Sequence, residues 1–185
     1  TMYAGVAIVG MLMMLSIHER EAELRESSFV DDLTGLFNRQ YFQRVLTTEV
    51  ERARRNGRSV GLLLADVYRL GEINRTFGVD VGDALVVAFA GRLREAAAAE
   101  AREDGFDPTI ACRVGGEELA LIVPEVARDA DDATLLSERL SAIAERFRAA
   151  VESTRANGVG AVVSVGLAML PGDGRSFEIK DMSLN

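Results

Sequence analysis

One histidine, His18, and one cysteine, Cys112, are all that the chain offers of the two most versatile metal ligands. A single imidazole excludes a His-based metal cluster and a Ser-His-Asp triad, which removes most hydrolase chemistry. A single thiol excludes an internal disulfide framework and a cysteine zinc site, and it fits a reducing compartment. Within "TIACRV", Cys112 reads as a small buried strand residue, with a reactive thiol as the alternative. Positive charge is short as well: 21 Lys and Arg stand against 29 Asp and Glu, for a formal net charge of −8. A nucleic-acid partner is not expected, because a broad footprint on nucleic acid needs a basic face. An anionic small ligand would have to be held by metal ions or by backbone N–H groups.

What is present is mostly core. With 185 residues and 48% hydrophobic content, there is enough for one domain and no room for a second. The N-terminus differs from the rest: "YAGVAIVGMLMMLSI", Tyr3 to Ile17, carries no charge. At about 15 residues it falls short of the roughly 20 that cross a bilayer. Residues 1–17 are therefore expected to form an apolar helix at the end of a truncated transmembrane span, or else a helix buried in protein. Thr1-Met2 supplies no basic n-region for a signal peptide. Residues 18–30 read as a polar connecting helix, with only Ala22 and Leu24 as a weak coiled-coil seam.

From residue 31, helix and strand patterns alternate. "NRQYFQRVLTTEVERARR" has helical spacing at Phe42, Val45, Leu46, Glu49 and Val50, and Asn56-Gly57 ends it. "SVGLLLADV" is a continuous apolar run ending in Asp66, as expected of a central strand covered on both faces. A short segment to Gly78 precedes a helix expected from about Gly82, with Leu85, Phe89 and Leu93 on its inner face. "TIACRV" and "ELALIV" read as strands, "DDATLLSERLSAIAERFRAAVEST" as a long amphipathic helix, and "AVVSVGLAML" as another buried strand. The order βαββαβ from Arg58 implies an α+β fold, an antiparallel sheet with helices on one face or both.

In such a sheet the first strand and the hairpin "RVGGEELALIV" lie side by side, so Asp66, Glu117 and Glu118 can converge at one edge. Carboxylates gathered at one point repel each other, and a hard divalent cation that also takes substrate phosphates is the usual remedy. Gly115 and Gly116 leave bare backbone beside them, which lets a phosphate or base approach. The alternative is an ordinary glycine-rich turn with solvated glutamates.

Four stretches together resemble the GGDEF domains, whose active members are diguanylate cyclases. "DDLTGLFNR" at 31–39 is similar to the family's D-x-L-T-G-L-x-N-R, and "ADVYRLGEINRTFGVDVGD" at 65–83 to D-x-D-x-F-K-x-I-N-D-x-x-G-H-x-x-G-D. "RVGGEEL" resembles R-x-G-G-[DE]-E-F, and "VVSVGLA" the family's late strand. The resemblance covers nearly everything after residue 30 and implies a palm-like sheet flanked by helices over 31–185. It also implies that Asp66, Glu117 and the Val67 carbonyl bind two Mg²⁺ ions, or Mn²⁺ in their place, with Glu118 completing the acidic cluster. Asn74 and Asp83 match the positions that read guanine. Leu70 and Gly71 match the Phe-Lys pair, and Gly115 and Gly116 the glycines beside the substrate. The reaction implied is condensation of two GTP to cyclic di-GMP with release of pyrophosphate. Each subunit of a homodimer would hold one GTP. The implied location is the bacterial inner membrane with the domain in the cytoplasm, the alternative being a cytoplasmic protein.

Departures accompany the match. Gly71 replaces a lysine expected to contact phosphate, and Tyr68, Arg75, Val79 and Leu119 replace Asp, Asp, His and Phe. "FDPT" at 106–109 does not match the product-inhibition motif R-x-x-D, so feedback at that site is not expected. The family's C-terminal helix, with basic residues near the triphosphate, is not found in "LPGDGRSFEIKDMSLN". Two functions follow: a cyclase, active or weakly so, or a degenerate domain that binds GTP or a protein partner and signals without catalysis. A nucleotidyl cyclase acting on ATP is a more distant option, against which Asn74 and Asp83 speak.

Overall fold

The structure, a computed structural model, describes residues 29–104, 109–124, 130–171 and 178–182. The apolar segment at 1–17, most of the connecting segment at 18–30 and nearly all of "FDPT" lie outside these residues. Among the described residues no helix is long and apolar enough to cross a membrane.

The elements are α1 (Arg39–Asn56), β1 (Ser59–Val67), α2 (Leu70–Phe77), α3 (Val79–Asp104), β2 (Ile110–Arg113), β3 (Glu118–Val123), α4 (Ala130–Ser153), β4 (Val163–Pro171) and β5 (Glu178–Met182). They build a sheet in the order β2-β3-β1-β4-β5, antiparallel at every step. This is the α+β architecture expected. Strand β5 was not foreseen: it pairs with β4 from Val165↔Met182 to Met169↔Glu178. Its sequence, "EIKDM", alternates too weakly to stand out as a strand.

β1 is central because its alternate residues serve two cores. Leu63, Ala65 and Val67 face α3 and α4, where Leu85, Phe89, Leu93, Leu140, Ile143 and Phe147 are fully or almost fully buried. Gly61 lies under α4, since a Cβ there would come within 2.9 Å of Leu140. Val60 and Leu62 face the other way, against Ala53 of α1 with Phe42, Val45 and Leu46 packed beside it. Helix α1 begins at Asn38, whose Oδ1 accepts the Tyr41 N–H at 3.0 Å, and it ends at Gly57 with φ 66°.

Two expectations need correction. Coverage of both faces holds only for the first half of β1: Leu64 is 44% exposed, because α1 packs over Val60 and Leu62 and stops short of the Asp66 end. Helix α3 starts at Val79 rather than near Gly82, and the "short segment" before Gly78 is the helix α2. The break between them is Gly78, at φ 96°.

Cys112 pairs with Ala120 inside the sheet and has no exposed surface. Burial pushes its thiol up to about 12, which decides for the buried strand residue over the reactive thiol. Native protein at pH 8 is expected to resist a thiol-alkylating reagent, with full modification only after denaturation. Rapid labelling of the folded chain would mean that β2 opens readily.

Candidate functional site

The open half of β1 is where the predicted residues gather. After Val67 the chain turns through Arg69, in the left-handed region at φ 60°, which reverses its direction and lays α2 beside the sheet edge. Helix α3 follows after the single residue Gly78. A cleft of about 540 Å³ results, lined by Leu70 and Gly71 of α2 with Asn74, by Asp83 of α3, and by Arg113, Gly116, Glu117 and Glu118 of the hairpin. Seven of these eight were singled out from sequence; Arg113 was not. Asp66 does not line this cleft. It borders an adjoining hollow of about 210 Å³ with Leu64, Ser164 and Gly166, and Glu118 borders both spaces.

The strand register sets the relation between the acidic residues. Asp66 and Glu118 are directly opposed Cα partners on neighbouring antiparallel strands, hence on the same face. The Val67 N–H donates to the Glu117 carbonyl at 2.9 Å, which brings the last residue of the turn against the end of β1. Among the described residues no three His, Cys, Asp or Glu side chains form a group that could hold a metal ion by themselves. Mg²⁺ does not require one: it dehydrates reluctantly and is commonly held by one or two carboxylates, with substrate phosphates and water completing its shell. Two carboxylates and a backbone carbonyl, at Asp66, Glu117 and Val67, are hard oxygen donors of that kind, so the residues fit the ion.

The turn itself is held by Arg113. Its Nε donates to the Gly115 carbonyl at 3.1 Å and its Nη2 to the Gly116 carbonyl at 2.8 Å, while Nη1 reaches both Asp31 oxygens at 3.3 Å. Asp31 in turn accepts the Thr34 N–H at 2.9 Å and the Thr34 hydroxyl at 2.7 Å. Burial alone would raise the Asp31 carboxyl, but the two Thr34 bonds and the Arg113 guanidinium hold it below the usual carboxylate range. One cation thus ties the glycine turn to the opening "DDLTGLF" stretch, whose Phe37 also bonds along β2 through Ala111 and Arg113. The sequence signal was the Arg in "RVGGEEL"; what could not be read was that each of its three nitrogens bonds a protein oxygen.

The glycines differ in what they allow. Neither Gly115 nor Gly116 has a left-handed backbone. A Cβ on Gly115 would fall 2.2 Å from Glu118 Oε2, so its bare backbone accommodates the Glu118 side chain. Gly116, exposed and with nothing within 4 Å of such a Cβ, is the one that leaves space to an incoming group.

On the helical wall, Asn74 sits in the middle of α2 with its Oδ1 buried and without a hydrogen-bond partner. Asp83 is the fifth residue of α3, too deep for a helix cap. Gly71, the second residue of α2, is exposed with open space around it. Tyr68, 56% exposed, belongs to a different hollow with Arg69, Glu72 and Phe77, so this departure from the family pattern falls outside the cleft.

The chain matches the family described as "Diguanylate cyclase, GGDEF domain" over residues 28–180. It is 36% identical over 159 residues to the response regulator PleD of Caulobacter vibrioides, a match covering 83% of this chain and 31% of that protein. Among solved structures, it is similar to the GGDEF domain of DgcB from Caulobacter crescentus in complex with c-di-GMP, with 28% identity, TM-score 0.63, and 81% of each chain covered. It is also similar to the diguanylate cyclase SiaD of Pseudomonas aeruginosa in complex with its activator SiaC, with 29% identity and TM-score 0.60 over 92% of this chain and 60% of that one. The chain spans about a third of the length of PleD.

Replacing Arg113 with Ala removes the bonds to both glycine carbonyls and leaves Asp31 half-partnered. A loss of about 1.5–3 kcal/mol in unfolding free energy is expected, as for charge-assisted hydrogen bonds, and Arg113→Lys should restore little of it, because an ammonium cannot span the same three partners. Since the Asp31 carboxyl lies below its ordinary value, its contribution is complete above the unfolded value of 3.8 and disappears as pH falls through the lower folded one. Urea titrations of wild type and Asp31→Asn between pH 7 and pH 3 check this: the variant should lose less stability over the acid limb. Parallel curves would show that the link contributes nothing.

Proposed function

The chain belongs to the GGDEF domain family, and from that membership we propose that it is a diguanylate cyclase, condensing two molecules of GTP to cyclic di-GMP. The observation that supports this reading most is the single cleft that joins Asn74 and Asp83 on the helical wall to Glu117 and Glu118 at the sheet edge. An aspartate accepts from the N1–H and N2–H₂ of guanine, an arrangement that adenine does not offer, and the Asn74 amide complements another part of the base edge. The triphosphate would extend toward Gly116, where no side chain intervenes.

The charge balance of the cleft makes a cation necessary. Three carboxylates line it, and Arg113, the cation of the wall, is engaged by the turn carbonyls and Asp31. Asp66, the Val67 carbonyl and Glu117 are the residues that would hold Mg²⁺, which when bound neutralises phosphate charge and favours the alkoxide form of the nucleophile. In the reaction the 3′-oxygen of one GTP forms a bond to the α-phosphorus of the other, the bond to the β-phosphate oxygen breaks, and pyrophosphate leaves. Glu118, which borders both the cleft and the hollow that holds Asp66, would take the proton of the 3′-hydroxyl in this reading. A second such step closes the ring. Each cleft holds one GTP in this reading, so two copies must face each other, and the connecting segment before residue 31 would set that pairing. The apolar run from Tyr3 to Ile17 would hold the domain at the cytoplasmic side of a bacterial inner membrane.

A second reading, nucleotide binding without turnover, is favoured by Gly71, which leaves no lysine on α2 to meet the phosphates. A hydrogen bond from such a cation is worth roughly 1.5–3 kcal/mol, or about ten- to a hundred-fold in rate or affinity. That slows a cyclase without abolishing it.

Incubation of dimeric protein with GTP and Mg²⁺, followed by chromatography, should yield a cyclic dinucleotide; GTP binding in a stable dimer with no product would establish the second reading. Glu117→Gln keeps the shape and removes the charge, and should lower turnover on the order of a hundred-fold or more while melting at the wild-type temperature. Turnover within a few-fold of wild type would remove Glu117 from the metal site. Gly71→Lys meets no steric obstacle and should raise the initial rate about ten-fold, with little change in stability because better helix propensity is offset by a cation in the first helical turn. An unchanged rate would mean that phosphate does not reach α2.

A further inference from the structure

Gly82 has no ordinary reason to be glycine. It is the fourth residue of α3, buried, and not in the left-handed region. Alanine would be the better helix former there. What occupies the missing side chain's place is Asn74: an ideal Cβ on Gly82 would fall 1.8 Å from Asn74 Oδ1 and 2.9 Å from its Cγ, with Leu70 Cδ1 at 3.2 Å. The amide oxygen therefore lies against the backbone of α3, buried and accepting no hydrogen bond. With Oδ1 shut away, the Nδ2 donor is the end of the amide left to the cleft that Asn74 lines.

We propose that Gly82 is a positioning residue for nucleobase selection: by lacking a Cβ it lets the Asn74 amide lodge against α3 in one orientation, with its donor toward the base. This rests on the reading of Asn74 as a guanine contact. The physical argument is that the clash falls on the far end of a short side chain rather than on backbone, so Gly82→Ala displaces the amide by rotation and leaves the helix where it is. The contact also couples the wall that carries Asn74 to the wall that carries Asp83, the next residue of α3.

The test is a double-mutant cycle read by nucleotide binding, with non-hydrolysable GTP and ATP analogues and Mg²⁺, on the wild-type chain, Gly82→Ala, Asn74→Ala and the double variant. Gly82→Ala should weaken the GTP analogue about two- to ten-fold, the range for one hydrogen bond, with the ATP analogue unchanged and the melting temperature unchanged or raised. In the Asn74→Ala background, Gly82→Ala should have no further effect. Equal losses for both nucleotides, a lowered melting temperature, or the same loss in both backgrounds would overturn the proposal, since α3 itself would then have moved. If Asn74→Ala weakens the GTP analogue and Gly82→Ala does not, the positioning role alone falls. If Asn74→Ala has no effect either, the guanine reading falls with it.

Discussion

The antiparallel register between β1 and β3 is the constraint on which the site depends. It opposes Asp66 to Glu118 and sets Glu117 against the end of β1 through the Val67 N–H. A slip of one residue would send every side chain of β3 to the other face, turning Glu118 toward the core that holds Leu63 and Phe89 and turning Leu119 and Leu121 away from it. The cost of burying that carboxylate fixes the register as firmly as the apolar residues do. Register and site are therefore linked: the pattern that fills the core on the α3–α4 side also delivers Asp66 and Glu118 to the opposite, open side.

That open side exists because α1 covers only half of the face. Val60 and Leu62 are sealed by α1, whereas Leu64 and Asp66 are not. Arg113 then holds the glycine turn, each of its three nitrogens bonding an oxygen of the protein. The consequence is electrostatic. A cleft with three carboxylates repels a triphosphate unless divalent ions accompany it, so in the cyclase reading Mg²⁺ would serve nucleotide entry as well as chemistry.

Much of this was legible in the sequence. The strands "SVGLLLADV" and "ELALIV" and the long helix at 130–153 follow from apolar periodicity, whereas Asn74 and Asp83, which share the cleft with Glu117 and Glu118, were singled out only through the resemblance to GGDEF domains. Other features were not legible, each for a physical reason. The exposed end of β1 depends on where α1 stops in space, which "LLLADV" does not encode. The role of Arg113 in holding the turn was not legible, because the oxygens it binds belong to Asp31, 82 residues away, and to backbone. Gly82 reads as helix-start glycine until the Asn74 amide is seen in its place. The start of α3 at Val79 was missed because Gly78 and Gly82 both resemble helix punctuation, and only Gly78 has the positive φ that acts as such.

The central claim is that the hairpin edge and the helical wall form one nucleotide site, with phosphates and metal at Asp66 and Glu117 and the base at Asn74 and Asp83. The most direct measurement is a crystal structure of the protein with a non-hydrolysable GTP analogue and Mn²⁺, with the metal located by anomalous scattering. The account predicts anomalous peaks at the Asp66 and Glu117 carboxylates, with the guanine edge against Asp83. Nucleotide bound elsewhere, or bound in the cleft with no metal at either carboxylate, would contradict it.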